Sequence, residues 1–227
     1  MTSISNTRSE TTDHSVSLSH AEPAVAPLPA SSTPDDPILD AAREVILRVG
    51  VRRTTATDVA RRAGVSRMTL YRRFQDVQSL LVALLTREVN RLLGEIEATV
   101  ATLPTARERL VTAAITGVQR LAADPLFLRL VEVDPELLLP YLLERSGSSQ
   151  LAIRAYLTRT LTAGQADGSI RPLDVAYAAQ VLQLTLQSFV LSSRIIANEA
   201  DPSRIATELA DLLNRYLAPS HVICGHS

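Results

Sequence analysis

From Asp36 onward the apolar positions of the chain fall at helical spacing. Ile38, Leu39, Ala42, Val45, Ile46 and Val49 recur at steps of three and four, Asp36 stands where an N-cap would, Pro37 occupies the first turn, and Gly50 supplies the stop. The next segment, TTATDVARRAGV, predicts a helix of about two turns, capped by Thr55 with Asp58 adding negative charge near its positive end. Ala60, Gly64 and Leu70 then stand at offsets that let two short helices cross closely: a small residue at the contact, a glycine able to take a left-handed turn, and an apolar anchor. Ser66 is placed to cap the third helix. Leu70 and Phe74, four residues apart, share its inner face, which leaves Arg67, Tyr71 and Arg72 toward solvent or a partner. The pattern is that of a helix-turn-helix.

The remainder continues as helices, with no run of period two and no internal repeat. Asp76 to Leu103 forms a long amphipathic element, and Pro104 opens another carrying Leu110, Ala113, Ala114, Val118 and Leu121. Pro125, Pro135 and Pro140 punctuate shorter helices; a further one spans Ser148 to Ala163. Pro172 opens a very apolar helix reaching Ile196, and the last runs from Pro202 to Leu217. The expected fold class is all-α, about nine helices in total.

Charge changes this picture only when it is counted by segment. The whole chain carries a formal net charge of −1. Residues 1–35 sum to −3, residues 36–75 to +5 and residues 76–227 to −3, so a basic module of forty residues sits between two acidic stretches. That is the footprint of a surface that meets phosphates, with a solvated arginine-rich helix surface as the competing reading. All 23 basic residues are arginines. Residues 1–35 hold eight Ser, five Thr and four Pro with hardly any bulky apolar side chain, and are expected to form a disordered arm. Residues 219–227 read as a flexible tail.

Several classes of function are disfavoured. The four histidines, His14, His20, His221 and His226, all lie in the tails, so no acid–base constellation is expected in the folded part, and no phosphate loop appears. Cys224 with His221 and His226 would lack a fourth metal ligand. No enzyme, metal or cofactor is expected, and no membrane span, since the longest apolar runs fall well short of the roughly 20 residues one requires. The start of the chain lacks the apolar block of a secretory signal, so the expected location is the cytoplasm.

The order of features in ILDAAREVILRVGV followed by TTATDVARRAGVSRMTLYRRFQDVQSLL resembles the TetR family of bacterial transcriptional regulators over Ile38 to Leu85. The resemblance implies an all-helical homodimer, with a three-helix helix-turn-helix DNA-binding domain at 36–82 and an effector-binding and dimerisation bundle at 83–218. It implies double-stranded DNA with a palindromic operator and a small-molecule effector as partners, and repression as the default action. By position, Thr55 and Tyr71 resemble residues that grip phosphates, while Ser66, Arg67, Met68 and Thr69 lie where family members contact bases or the groove wall; Arg72 and Arg73 are further candidates. Two positions depart from the pattern: Met68 stands where many members have glycine or alanine, and Val77 where a lysine often begins the fourth helix. Arg73, in a place often held by histidine, would compensate for that lysine. Arg67 reads either a guanine, a phosphate or a surface carboxylate; Met68 meets either a thymine methyl or the preceding helix.

Bundles of this kind can enclose an apolar cavity with a few polar groups. Phe127, Arg129, Tyr141, Tyr156, Gln183 and Gln187 are the candidate liners, and without a charged signature among them the expected effector is lipophilic. The segment from Pro172 to Ile196, apolar nearly all round, and that from Pro202 to Leu217 resemble the family's dimerising pair.

Overall fold

The computed structural model describes residues 36–133, 148–192 and 201–219. Nine helices are present among them, with no strand: α1 (Pro37–Val49), α2 (Ala56–Ala63), α3 (Arg67–Arg73), α4 (Val77–Val100), α5 (Ala106–Ala122), α6 (Pro125–Val133), α7 (Ser148–Ala166), α8 (Val175–Leu191) and α9 (Pro202–Leu217). The expected arm at 1–35 and nearly all of the expected tail lie outside the described residues, as do the segment holding Pro135, Pro140 and Tyr141 and the stretch from 193 to Ile196.

Caps set most of the helix starts. Asp36 accepts the amide proton of Ile38 at 3.0 Å, with Pro37 in the first turn, as the sequence predicts. Two starts differ from the proline-based expectation. Thr105, not Pro104, begins α5, because Thr105 and Glu108 close a reciprocal capping box that fixes the register. Asp174, two residues beyond Pro172, caps α8 by accepting from the amides of Ala176 and Tyr177. α4 ends at Val100 and α7 continues to Ala166, three residues either side of the expected bounds.

The helix-turn-helix geometry rests on Gly64. Its φ of 69° and ψ of 23° lie in the left-handed region, where a Cβ would crowd the backbone. There its N–H reaches Arg61 O at 3.3 Å and the following Val65 N–H reaches back to Ala60 O at 3.0 Å. These two bonds satisfy carbonyls that the end of α2 would otherwise leave open, and they turn the chain sharply into α3. Ala60, Leu70 and Phe74 are buried at the crossing. α3 has only seven residues, too short to hold itself in water. Its stability comes from Leu70, fully buried and contributing about 1.5–3 kcal/mol by removal from water.

Two apolar cores organise the molecule. The first joins α1, α2, α3 and the start of α4 (Leu80, Leu81, Leu84, Leu85), and it recruits Leu126 and Leu130 from α6. The second joins Ile96 and Val100 at the far end of α4 to α5, α7, α8 and α9. α4 therefore belongs to both, and the expected boundary at 82/83 falls inside an unbroken helix.

The junction carries the most buried cation among the described residues. Arg87 of α4 is 5% exposed and donates to Asp40 Oδ1 of α1 and Glu88 Oε1, both at 2.7 Å. Burial works against its charge, but the hydrogen bonds and field of Glu88 and Asp40 outweigh that and hold the guanidinium above its ordinary value. Arg43 of α1 extends the network, 3.9 Å from Glu88 and 3.3 Å from Asp124 at the head of α6.

Candidate nucleic-acid interface and effector cavity

All eight residues proposed from sequence for DNA contact lie on the exposed surface of the turn before α2 and of α3, but they are not equivalent. The Thr55 hydroxyl donates to Asp58 Oδ2 at 2.6 Å while accepting the Asp58 amide at 3.1 Å. The Ser66 hydroxyl accepts the Thr69 amide at 3.0 Å and shares a hydrogen bond with the Thr69 hydroxyl at 2.8 Å. These three hydroxyls are engaged in caps, so their offer to a phosphate runs through the helix N-termini they organise.

Arg67, Met68, Tyr71 and Arg72 project freely. Met68 is 76% exposed, which rules out packing against the preceding helix and leaves an apolar side chain presented outward. The Arg67 guanidinium lies 5.8 Å from the centre of the Tyr71 ring, so the two form one cation–π unit that stiffens the arginine without consuming its donors. Arg72 has no acidic partner among the described residues.

Arg73 corrects the expectation that it would substitute for a missing lysine. It pairs with Asp36, whose carboxylate is fully buried, and so ties the last turn of α3 to the cap of α1. A side chain held by a buried carboxylate is a structural tie, not a free phosphate donor. The sequence reading also missed Arg53, exposed in the turn immediately before the threonine pair and without an acidic partner among the described residues. Its position next to Thr54 was the available signal. Thr54 itself is buried, its hydroxyl bonded to Gly50 O at 2.7 Å.

The second candidate site is a cavity of about 130 Å³ lined by α4, α5, α6, α7 and α8. Leu92, Ile96, Val118, Leu121, Leu157, Leu186 and Val190 are among its apolar walls; Gln150, Tyr156, Gln183 and Gln187 supply its polar groups. Of the residues proposed from sequence, Phe127, Tyr156, Gln183 and Gln187 line it. Arg129, on α6, is not among the residues that line it. Tyr141 lies outside the described residues. Burial pushes the Tyr156 phenol above its usual range, against a lowering hydrogen bond from Thr160, so it meets a ligand as a neutral hydroxyl. Gln150, missed from sequence, is 7% exposed and accepts a hydrogen bond from Gln183 Nε2. A charged recess bounded by Glu88, Arg91, Glu95, Arg120 and Asp124 shares Val89, Leu92, Leu121 and Phe127 with the cavity, so the two are separated by one layer of side chains.

A cation-bearing helix held by a glycine turn, ahead of a helical bundle around an apolar cavity, defines the class of helix-turn-helix regulators. A model of the bacterial regulatory proteins of the tetR family matches residues 38–84. An uncharacterized HTH-type transcriptional regulator from Mycobacterium bovis is 36% identical over 180 residues, covering 79% of this chain and 92% of its own. Among solved structures, the transcriptional regulator FadR from Bacillus subtilis in complex with stearoyl-CoA is similar with a TM-score of 0.60 at 24% identity, over 80% of this chain and 98% of that one. The TetR family repressor AlkX from Dietzia, implicated in biodegradation of n-alkanes, gives 0.58 at 24% identity, over 79% and 92%. The chain belongs to the TetR family of bacterial transcriptional regulators.

Proposed function

We propose that this regulator is a repressor that binds a palindromic operator as a homodimer in the cytoplasm and is released by a small lipophilic effector. Residues 36–82 act as the reading head and residues 83–218 hold the effector and the dimer interface. The observation that carries the reading is the coexistence of free outward cations on α3 with a nearly apolar cavity, open on one side, whose wall residue Phe127 sits on α6, the helix whose neighbouring leucines belong to the DNA-side core.

On the DNA side, Arg67 is the base reader, stacked on Tyr71, while Arg53 and Arg72 neutralise phosphates. Met68 offers its thioether and methyl to a thymine methyl. On the dimer side, Tyr177, Val181 and Leu184 of α8 and Leu212 of α9 are large apolar residues left at least half exposed, an arrangement that a second copy would cover. The effector is lipophilic because the cavity walls are, a reading that agrees with the stearoyl-CoA named for the similar FadR structure. It acts by favouring the state of the dimer in which the two heads are wrongly spaced, and so must bind that state more tightly.

Protection of a symmetric site upstream of its own gene, mapped by footprinting, tests the proposal. Arg67→Ala and Tyr71→Ala should each abolish or narrow the protection. Protection that is absent, or indifferent to both substitutions, would sink it.

A further inference from the structure

The polar wall of the cavity is wired in one direction. Arg154 Nε donates to Gln183 Oε1 at 3.0 Å, and Gln183 Nε2 donates to Gln150 Oε1. A guanidinium has no acceptor atom, so Arg154 determines which end of the Gln183 amide faces it. The nitrogen of Gln183 must then face Gln150, and that nitrogen can be met only by the Gln150 oxygen. What remains at the end of the chain is the Gln150 amide nitrogen, a donor with no partner among the described residues, on a side chain more than nine-tenths buried and lining the cavity. Open to the cavity rather than sealed in the core, this donor is available to an acceptor on a ligand. No carboxylate of the described residues lies within ion-pair distance of Arg154, so the chain starts on an uncompensated cation and is polarised toward donation at its far end.

We propose that the effector is an apolar molecule bearing an acceptor oxygen, a carbonyl or a carboxylate, which takes the Gln150 amide protons. This rests on the reading of the cavity as the effector site and sharpens it: the pocket selects for an acceptor head and against a donor head. The apolar walls set the body of the ligand, and the Arg154–Gln183–Gln150 relay sets the polarity of its head.

Calorimetric titration of the purified protein, without DNA, with octanoate, methyl octanoate and octylamine tests the direction of the relay. Octanoate and methyl octanoate should each bind about tenfold or more tighter than octylamine, the effect of one hydrogen bond to a polarised donor. Methyl octanoate binding close to octanoate assigns the selectivity to the hydrogen bond alone; a clear excess for octanoate adds the charge of Arg154. Gln183→Glu keeps the shape but can only accept, from Arg154 and from Gln150 alike, so the Gln150 oxygen turns to the cavity and the order reverses in favour of octylamine. Gln150→Leu keeps the volume and should bind all three ligands with the preference flattened. A wild-type protein that binds none of the three, binds them without order or prefers octylamine overturns the proposal, as does a Gln183→Glu protein that keeps the wild-type order. A gel shift on the same preparation separates this from the regulator reading: operator binding with no ligand order sinks the relay alone, and ligand order without operator binding sinks the regulator alone.

Discussion

Asp124 ties Arg43 of α1 to the first turn of α6, one of the helices that wall the cavity. One carboxylate oxygen caps α6, accepting the amides of Leu126 and Phe127 at 2.9 and 3.0 Å; the other lies 3.3 Å from the Arg43 guanidinium on α1. Phe127 lines the cavity, so in the proposed mechanism an effector that displaces its ring would shift the cap and with it the ion pair. Asp124→Asn keeps the cap and removes the charge. The pair is partly exposed, so its loss should leave the melting temperature nearly unchanged, within about 0.2–1 kcal/mol. The expected change is in coupling: the effector concentration needed to release DNA should rise several-fold while the effector affinity measured without DNA stays as it was. Equal shifts in both would refute the role.

Arg72 and Arg73 are neighbours with different roles, and substitution should separate them. Arg72→Ala should leave stability alone and lower the slope of log affinity against log salt by about 1. Arg73→Ala strands the buried Asp36 carboxylate, for a loss of about 1–3 kcal/mol in stability. Salt-dependent gel shifts and thermal melts on both variants decide the matter.

The exposed apolar face of α8 and α9 predicts an oligomer that one charge can split. Leu184→Arg or Leu212→Arg should give a folded monomer by analytical ultracentrifugation, with helical content retained and operator binding lost. A variant that sediments as the wild type does would place the interface elsewhere.

Acid should weaken the fold through its caps. Asp76 is held below its ordinary value of 3.8 by hydrogen bonds from Ser79, backbone amide first and hydroxyl second. Asp167 is lowered from the same value by the Ser169 hydroxyl and by the amide of Ala106 at the start of α5. A depressed folded-state value means stability present above about pH 4 and lost as pH falls through the lowered range. Asp76→Asn, whose amide oxygen can still accept from Ser79, should flatten the fall of melting temperature on acidification below about pH 4, relative to the wild type.

How much of this was legible beforehand follows from the range of each interaction. Asp36, Thr55, Ser66 and Gly64 act within a few residues of themselves, and sequence located all four. The turn and the inner anchors Leu70 and Phe74 followed from the same local spacing. Thr105 and Asp174 were passed over because a nearby proline is the louder signal, although the capping box at Thr105 and Glu108 was present in the sequence. Arg73 was misread because its partner lies 37 positions away and is found only when the first turn of α1 meets the last of α3. Arg129 was proposed as a cavity liner and Gln150 passed over for a related reason. A polar residue inside a helix leaves no periodic trace of whether it faces a cavity or the outside, and only the packing of α7 against α8 brings Gln150 to Gln183.

The shared helix α4 sets the mechanical scale of the molecule. Its 24 residues make a rod of about 36 Å, rooted at Ile96 and Val100 in the second core, with its other end packed into the first. A tilt of about 5° at the root sweeps the head through roughly 3 Å over that length. In the proposed homodimer, two copies moving oppositely would change their separation by about 6 Å, nearly two base-pair steps of 3.4 Å. In that dimer, a lever of such length would need only a side chain's worth of displacement at its pivot to move both heads out of register with the grooves.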